Sequence, residues 1–162
     1  MLKYLLKAPD STWAAISPAQ AKAENLKIKY LGTAGFILSD QHRTVVLDPF
    51  ISRPNLWQTF SQPLLSDPVL VKQYIPYADD VLIGHAHYDH ILDAPELCKQ
   101  TGARLIGSQA TLMYGRSAGL SEQQMLETKG REAIQCGKWQ VVGLPSIHGK
   151  ALFGRVPLPG DM

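Results

Sequence analysis

Alternating and continuous apolar segments predict the strands of this chain. LKIKYL, beginning at Leu26, alternates as a half-buried strand does, and GFILS and TVVLDPF follow it, separated by the polar turn DQHR. DDVLIG and RLIG are compact apolar runs, typical of strands buried on both faces. REAIQCGKWQVVGLPS predicts two strands joined by a tight turn at Gly137 and Lys138.

Helical patterns lie between these strands. SDPVLVKQYI predicts a helix capped by Ser66 or Asp67, DAPELCKQTG a helix capped by Asp93, and SQATLMYGRSAG a helix capped by Ser108. The proline-containing stretch 51–68 predicts a loop with a short helix. Because strands and helices alternate, we expect an α/β fold, in which a mixed sheet is flanked by helices.

Composition narrows the classes of protein. The chain has 162 residues, 45% of them hydrophobic, which suits one soluble domain, and residues 1–25 form a weakly patterned arm. A net charge of +2 gives no reason to expect binding to nucleic acid or to an anionic membrane. No apolar run reaches the length of a membrane span. Cys98 and Cys136 form no CxxC pair, so we expect reduced, buried thiols and a cytoplasmic location.

The segment HAHYDH follows the predicted strand DDVLIG and contains three of the five histidines. Open α/β sheets bind their ligands at the carboxyl ends of such strands. In an extended segment His85 and His87 project to the same side and can bind one metal ion. If the chain turns after His87, Asp89 and His90 can face a second ion. Zinc accepts these ligands, and two ions can share a hydroxide, so the cluster predicts a hydrolytic metal centre rather than a chance grouping.

HAHYDH also matches the HxHxDH motif of the metallo-β-lactamase superfamily. The resemblance extends over YLGTAGFILSD, VVLDPF and LPSIHG, and is greatest to the branch of ascorbate-6-phosphate lactonase-like and N-acylphosphatidylethanolamine phospholipase D-like proteins. It implies that His85, His87 and His148 hold the first metal. It also implies that Asp89 and His90 serve the second metal, with Asp89 orienting the nucleophilic water.

The resemblance extends to Asp48, which ends the segment TVVLD. The corresponding aspartate would hydrogen-bond the metal-binding loop; the alternative is an ordinary turn residue after a strand. His42, in the turn DQHR, is expected to be solvated. We expect one or two zinc ions, with manganese or iron as alternatives. Flavodiiron proteins replace the histidine at the position of His87 with an acidic residue, which favours hydrolysis here, whereas persulfide dioxygenase-like members keep the motif and leave a mononuclear iron site open.

The superfamily fold is a four-layer αβ/βα sandwich of two similar halves. Its bridging aspartate and last histidine come from the second half, whereas Asp161 is the only acidic residue after His148 here. We therefore expect residues 26–162 to be the N-terminal portion, half or more, of such a domain, truncated at the C-terminus and inactive alone. The full-length protein would hydrolyse a small-molecule ester, lactone, amide or phosphodiester. The alternative is a catalytically incomplete fragment that forms a homo-oligomer, or binds a partner, through its uncovered sheet face.

Overall fold

The computed structural model describes residues 26–145, and these form the predicted α/β fold of a mixed sheet flanked by helices. The strands are β1 (Lys27–Gly32), β2 (Gly35–Ser39), β3 (Thr44–Leu47), β4 (Asp80–Leu82), β5 (Arg104–Gly107), β6 (Met125–Glu127), β7 (Ala133–Cys136) and β8 (Trp139–Val142). The helices are α1 (Leu56–Ser61), α2 (Pro68–Tyr74), α3 (Tyr88–Ile91), α4 (Ala94–Thr101) and α5 (Gln109–Ser117), and a 3-10 turn spans Glu122–Gln124. No helix among these residues is long and apolar enough to cross a membrane.

Six strands form one sheet in the order β1-β2-β3-β4-β5-β6, and β7 and β8 form a separate hairpin. The first three strands are antiparallel, whereas β3, β4, β5 and β6 run parallel to one another. The carboxyl ends of the parallel strands therefore lie at one edge of the sheet. The turn between β1 and β2 reaches the same edge, because Phe36 pairs with Leu47 at the end of β3.

The main core lies between the sheet and its helices. Val46, Val81 and Leu105 sit side by side on β3, β4 and β5, and they pack against Val71 of α2 and Leu97 of α4. All five side chains are fully buried. Burying an aliphatic side chain of this size stabilises a fold by about 1.5–3 kcal/mol, so these contacts hold α2 and α4 on the sheet.

The opposite face of the sheet is covered in its middle by the β7–β8 hairpin. Val45 and Ile106 on this face pack against Ile134 and Cys136 of the hairpin. Towards the β1 edge, no element within residues 26–145 covers the same face. Strand register places Ile28 beside Leu38 and Val45, and Tyr30 beside Phe36 and Leu47, and the side chains nearest the edge are exposed: Ile28, Tyr30 and Phe36.

The start of β4 is fixed by a buried ion pair. Asp80 is fully buried, and its carboxylate accepts hydrogen bonds from Arg43 Nε at 2.8 Å and Arg104 Nε at 2.7 Å. The Nη2 atoms of both arginines lie within 2.7 Å of the same carboxylate. Two guanidinium groups thus compensate one buried charge and join the starts of β3, β4 and β5.

Most of the predicted elements are confirmed. The sequence analysis did not predict β6 or α3, which have three and four residues. The helix α2 is capped by Asp67, the second of the two predicted candidates, which accepts from Val69 N and Leu70 N. Asp93 occupies the N-cap position of α4, as predicted, but its side chain makes no capping hydrogen bond.

Candidate metal centre

The histidine motif lies at the carboxyl end of β4 and continues into a short helix. The backbone of His87 is extended (φ −78°, ψ 151°), and α3 begins at the next residue. His90 N and Ile91 N both donate to His87 O at 3.0 Å, which closes the first turn. Ile91 and Leu92 are buried and anchor this turn in the core. The chain therefore turns directly after His87. The sequence analysis required this turn for Asp89 and His90 to face a second ion.

Three imidazole rings of the motif are close together. His85 Nε2 lies 2.9 Å from His87 Nδ1, and the centroids of these rings are 4.5 Å apart. The centroid of the His90 ring is 3.9 Å from that of His85. Two ligands of a tetrahedral zinc ion, each ~2.0–2.1 Å from the metal, lie about 3.3 Å apart. The two nitrogens share a hydrogen bond in this structure, and two ligands of one ion would lie only a few tenths of an ångström farther apart.

Asp48 contacts the motif at both ends. Its Oδ1 accepts a hydrogen bond from Gly84 N at 2.7 Å, and its Oδ2 lies 3.0 Å from His90 Nδ1. That nitrogen is buried and has no well-aligned hydrogen bond, so Asp48 is the polar group it faces. A methyl group on Gly84 would lie 3.1 Å from Asp48 Oδ2, which explains why a residue without a side chain suits this position. Asp48 has a positive φ of 41°, an uncommon conformation that aspartate tolerates better than most residues.

The carboxylates set the protonation of His90. Burial disfavours the charged imidazolium, but the contact with Asp48 and the charge of Asp89 outweigh it and raise the pKa of His90 above its usual value. Asp89 Oδ2 lies 3.7 Å from His90 Nε2, and the Asp89 side chain is partly exposed. The two nitrogens of His90 thus face different carboxylates, Asp48 on the buried side and Asp89 on the accessible side.

The sequence profile of the beta-lactamase superfamily domain matches residues 43–157, which include the strands β3 to β8 and the whole motif. The chain belongs to the metallo-β-lactamase superfamily. It is 31% identical over 120 residues to a UPF0173 metal-dependent hydrolase of Methanopyrus kandleri, a match that covers 70% of this chain and 47% of that protein. It is 33% identical over 112 residues to a UPF0173 metal-dependent hydrolase of Pyrobaculum islandicum, covering 69% of this chain and 45% of that protein. The chain thus spans about half the length of the curated relatives it matches.

The fold of this chain is similar to that of a solved structure. CmlA, a diiron β-hydroxylase from Streptomyces venezuelae, superposes with a TM-score of 0.52 at 21% identity, over 78% of this chain and 25% of CmlA. At this identity the likeness shows the fold alone. The mixed sheet and flanking helices of the present chain therefore have a counterpart in a solved structure.

The motif residues of this superfamily member fit a divalent ion in donor chemistry and spacing. Imidazole nitrogen and carboxylate oxygen are both zinc ligands, and His85 and His87 present their nitrogens at nearly the right separation. Within residues 26–145, however, no three such side chains form a complete metal site. His148, the predicted third ligand of the first ion, lies outside the described residues.

Asp93 belongs to the surroundings of the motif, a role that the sequence analysis missed. This fully buried carboxylate accepts hydrogen bonds from Ile51 N (2.5 Å), Ser52 N (2.8 Å), Ser52 Oγ (2.5 Å) and Ser66 Oγ (2.6 Å). Asp93 therefore joins the loop after β3 to the segment that follows the motif. In the same loop, Phe50 packs edge-on against the motif residue Tyr88, with ring centroids 5.8 Å apart. No sequence signal beyond the aspartate's position before a helix points to this contact.

Proposed function

We propose that this chain provides the metal-binding motif of a metal-dependent hydrolase that acts on a small-molecule ester, lactone, amide or phosphodiester. The proposal rests on one observation above all, the 2.9 Å separation of His85 Nε2 and His87 Nδ1 at the carboxyl end of β4. The relatives from Methanopyrus kandleri and Pyrobaculum islandicum are named metal-dependent hydrolases, which supports the same reaction class. Zinc is the proposed metal, with manganese or iron as alternatives.

The proposed roles follow from position in the motif. His85 and His87, together with His148, would hold one ion, and Asp89 and His90 would hold a second. A bound divalent ion lowers the pKa of water and so supplies a nucleophile near neutral pH. Asp89 orients that water, because its partly exposed carboxylate lies on the accessible side of His90. Asp48 orients His90 from the buried side and fixes the backbone at Gly84.

Metal content tests the first part of the proposal. The intact chain, dialysed without chelator, should retain at least one equivalent of a divalent metal, measured by elemental analysis. A His85→Ala/His87→Ala variant should lose it. His42→Ala is the matched control, because His42 is exposed in the turn before β3, and it should keep the metal. Equal metal content in the double variant and the unmodified chain would exclude the site.

Asp89→Asn tests the assignment of the second ion and of water orientation. This variant should fold normally and keep the first equivalent of metal, but bind the second more weakly. Any hydrolytic turnover should fall by at least about a hundredfold, the usual contribution of a positioned acid or base. An Asp89→Asn variant with undiminished turnover would remove Asp89 from the proposed mechanism.

Self-association is the second candidate function, and the open part of the sheet favours it. Ile28, Tyr30 and Phe36 expose apolar surface beside the hairpin, and a two-fold dimer can bury equivalent faces against each other. Sedimentation at micromolar concentration should then give about twice the chain mass of 17.9 kDa. Ile28→Glu should shift the chain to the monomer, whereas Met113→Glu, on α5, should not. A monomeric chain with hydrolase turnover would contradict this candidate and support the first.

A further inference from the structure

Residues 52–66 form a loop whose two ends are fastened to one buried carboxylate. Ser52 Oγ and Ser66 Oγ both donate to Asp93 Oδ1, at 2.5 and 2.6 Å. Asp67 N donates to Ser52 Oγ at 2.6 Å and closes the neck of the loop directly. Compact surface loops of this length, with adjacent ends, are often functional. The neck holds the intervening residues in a defined position on the surface.

The tip of this loop is a short helix, α1, that presents aromatic side chains to solvent. Asn55 and Gln58 form a reciprocal capping box at its start, with hydrogen bonds of 2.8 and 2.9 Å. Trp57 is 79% exposed, Phe60 86% and Leu65 77%. Side chains exposed to this degree are available for contact with a partner or a surface.

The tip is also uncharged. No Asp, Glu, Lys or Arg occurs from Pro54 to Ser66, although 19% of the chain is charged. Two of its hydroxyl groups are already bonded to the helix backbone: Thr59 Oγ1 donates to Asn55 O at 3.0 Å, and Ser61 Oγ donates to Trp57 O at 2.6 Å. Transfer of the tip out of water therefore removes no formal charge, and these two hydroxyl groups keep their hydrogen bonds, which lowers its cost.

We propose that loop 52–66 inserts its tip into the interface of a zwitterionic phospholipid bilayer. A cavity of about 380 Å³ lies against this loop and is lined by Gln58 and Leu65 among others, but the two most exposed aromatic side chains, Trp57 and Phe60, do not line it. A bilayer interface receives exposed apolar groups, and Trp and Phe are side chains that favour this region. The lack of charge at the tip matches a neutral lipid surface, and the net charge of +2 gives no strong attraction to an anionic one. This inference does not depend on the metal site.

Flotation with phosphatidylcholine vesicles tests the proposal on the intact chain. The unmodified chain should float with the vesicles, and the bound fraction should change little between about 0.05 and 0.5 M salt, because apolar insertion is not screened. Trp57→Ser/Phe60→Ser should weaken partitioning at least tenfold. Met113→Ser is the matched control, since Met113 is also exposed, on α5, and should bind as the unmodified chain does. Near-ultraviolet circular dichroism should show that all variants fold.

Three results would overturn the proposal. The first is an unmodified chain that does not float with the vesicles. The second is equal flotation of the double variant and the unmodified chain. The third is a dimer that Trp57→Ser/Phe60→Ser converts to a monomer, because the tip would then be a protein interface.

Discussion

The two ends of β4 carry buried charge in different ways. At its start, Asp80 is fully buried between Arg43 and Arg104, and four N–O contacts of 2.6–2.8 Å compensate its charge. At its end, the carboxylate of Asp48 faces Gly84 N and His90 Nδ1, and the imidazoles of His85 and His87 meet at 2.9 Å. A three-residue strand thus separates a compensated ion pair from a cluster of imidazoles and carboxylates.

This difference separates a stabilising site from a candidate chemical site. Guanidinium groups remain protonated at moderate pH, so Arg43 and Arg104 keep the positive charge that faces Asp80 and stabilise the fold. Imidazole nitrogens can accept a metal ion in place of a proton, so the cluster at the other end can change its ligand. Substitution of Asp80 should therefore lower the free energy of unfolding. Substitution of Asp48, beside the imidazoles, should change metal affinity and the pKa of His90.

The largest effect is expected at the start of β4. Asp80→Ala leaves Arg43 and Arg104 beside a buried cavity without their counter-charge, so the free energy of unfolding should fall by about 3–5 kcal/mol. Urea denaturation followed by circular dichroism measures this. Glu122→Gln is the control, because the Arg116–Glu122 pair is exposed, and it should change stability little. A similar small change for Asp80→Ala would mean that the buried pair is not stabilising.

Sequence reasoning located the candidate cluster but not the ion pair, and the reason is separation along the chain. The histidines lie within six positions, directly after an apolar run, so local pattern is enough to group them. Arg43 and Arg104 lie 37 and 24 residues from Asp80, and only the sheet brings them together.

Long-range contacts also explain the smaller errors. Asp93 has the sequence context of a helix cap, but hydrogen bonds from Ser52 and Ser66 occupy its carboxylate instead. The strand β6 has only three residues, too few for a periodic pattern, and it forms because β5 offers a free edge. Strands with clear alternation, such as β1 and β2, were predicted correctly.

At the end of β4, Asp48→Asn should weaken metal binding if the proposed centre is correct. The amide retains the size of the side chain but loses the charge that orients His90, and loss of such a supporting group typically costs 10–100-fold in affinity. Competition with a chromophoric chelator measures the affinity. Asp79→Asn, near the other end of the strand, is the control and should leave it unchanged. An unchanged metal affinity in Asp48→Asn would mean that Asp48 is an ordinary turn residue and does not support the metal site.

The titration of His90 in the metal-free chain sharpens the same point. Burial lowers its pKa, but Asp48 and Asp89 raise it by more, so it should titrate above the usual ~6.5. Since the folded-state pKa is the higher one, the charged contact stabilises the fold fully below the unfolded-state pKa. That contribution is lost as pH rises through the folded-state pKa. Proton NMR of the imidazole should show a lower pKa in Asp48→Asn, and an unchanged pKa would exclude the contact in solution.

The smallest expected effect concerns the two thiols near Asp80. Burial, and after it the charge of Asp80, raises the pKa of Cys98 to about 12 and that of Cys136 to about 11. At pH ~8 less than roughly one thiol in a thousand would then be the reactive thiolate, and both side chains are inaccessible. Iodoacetamide should therefore modify neither cysteine in the folded chain and both in guanidinium chloride, as measured by mass spectrometry. Asp80→Ala should make labelling of both cysteines faster, because it loosens this end of the sheet. Rapid labelling of the unmodified chain would show that the thiols are accessible in the folded state.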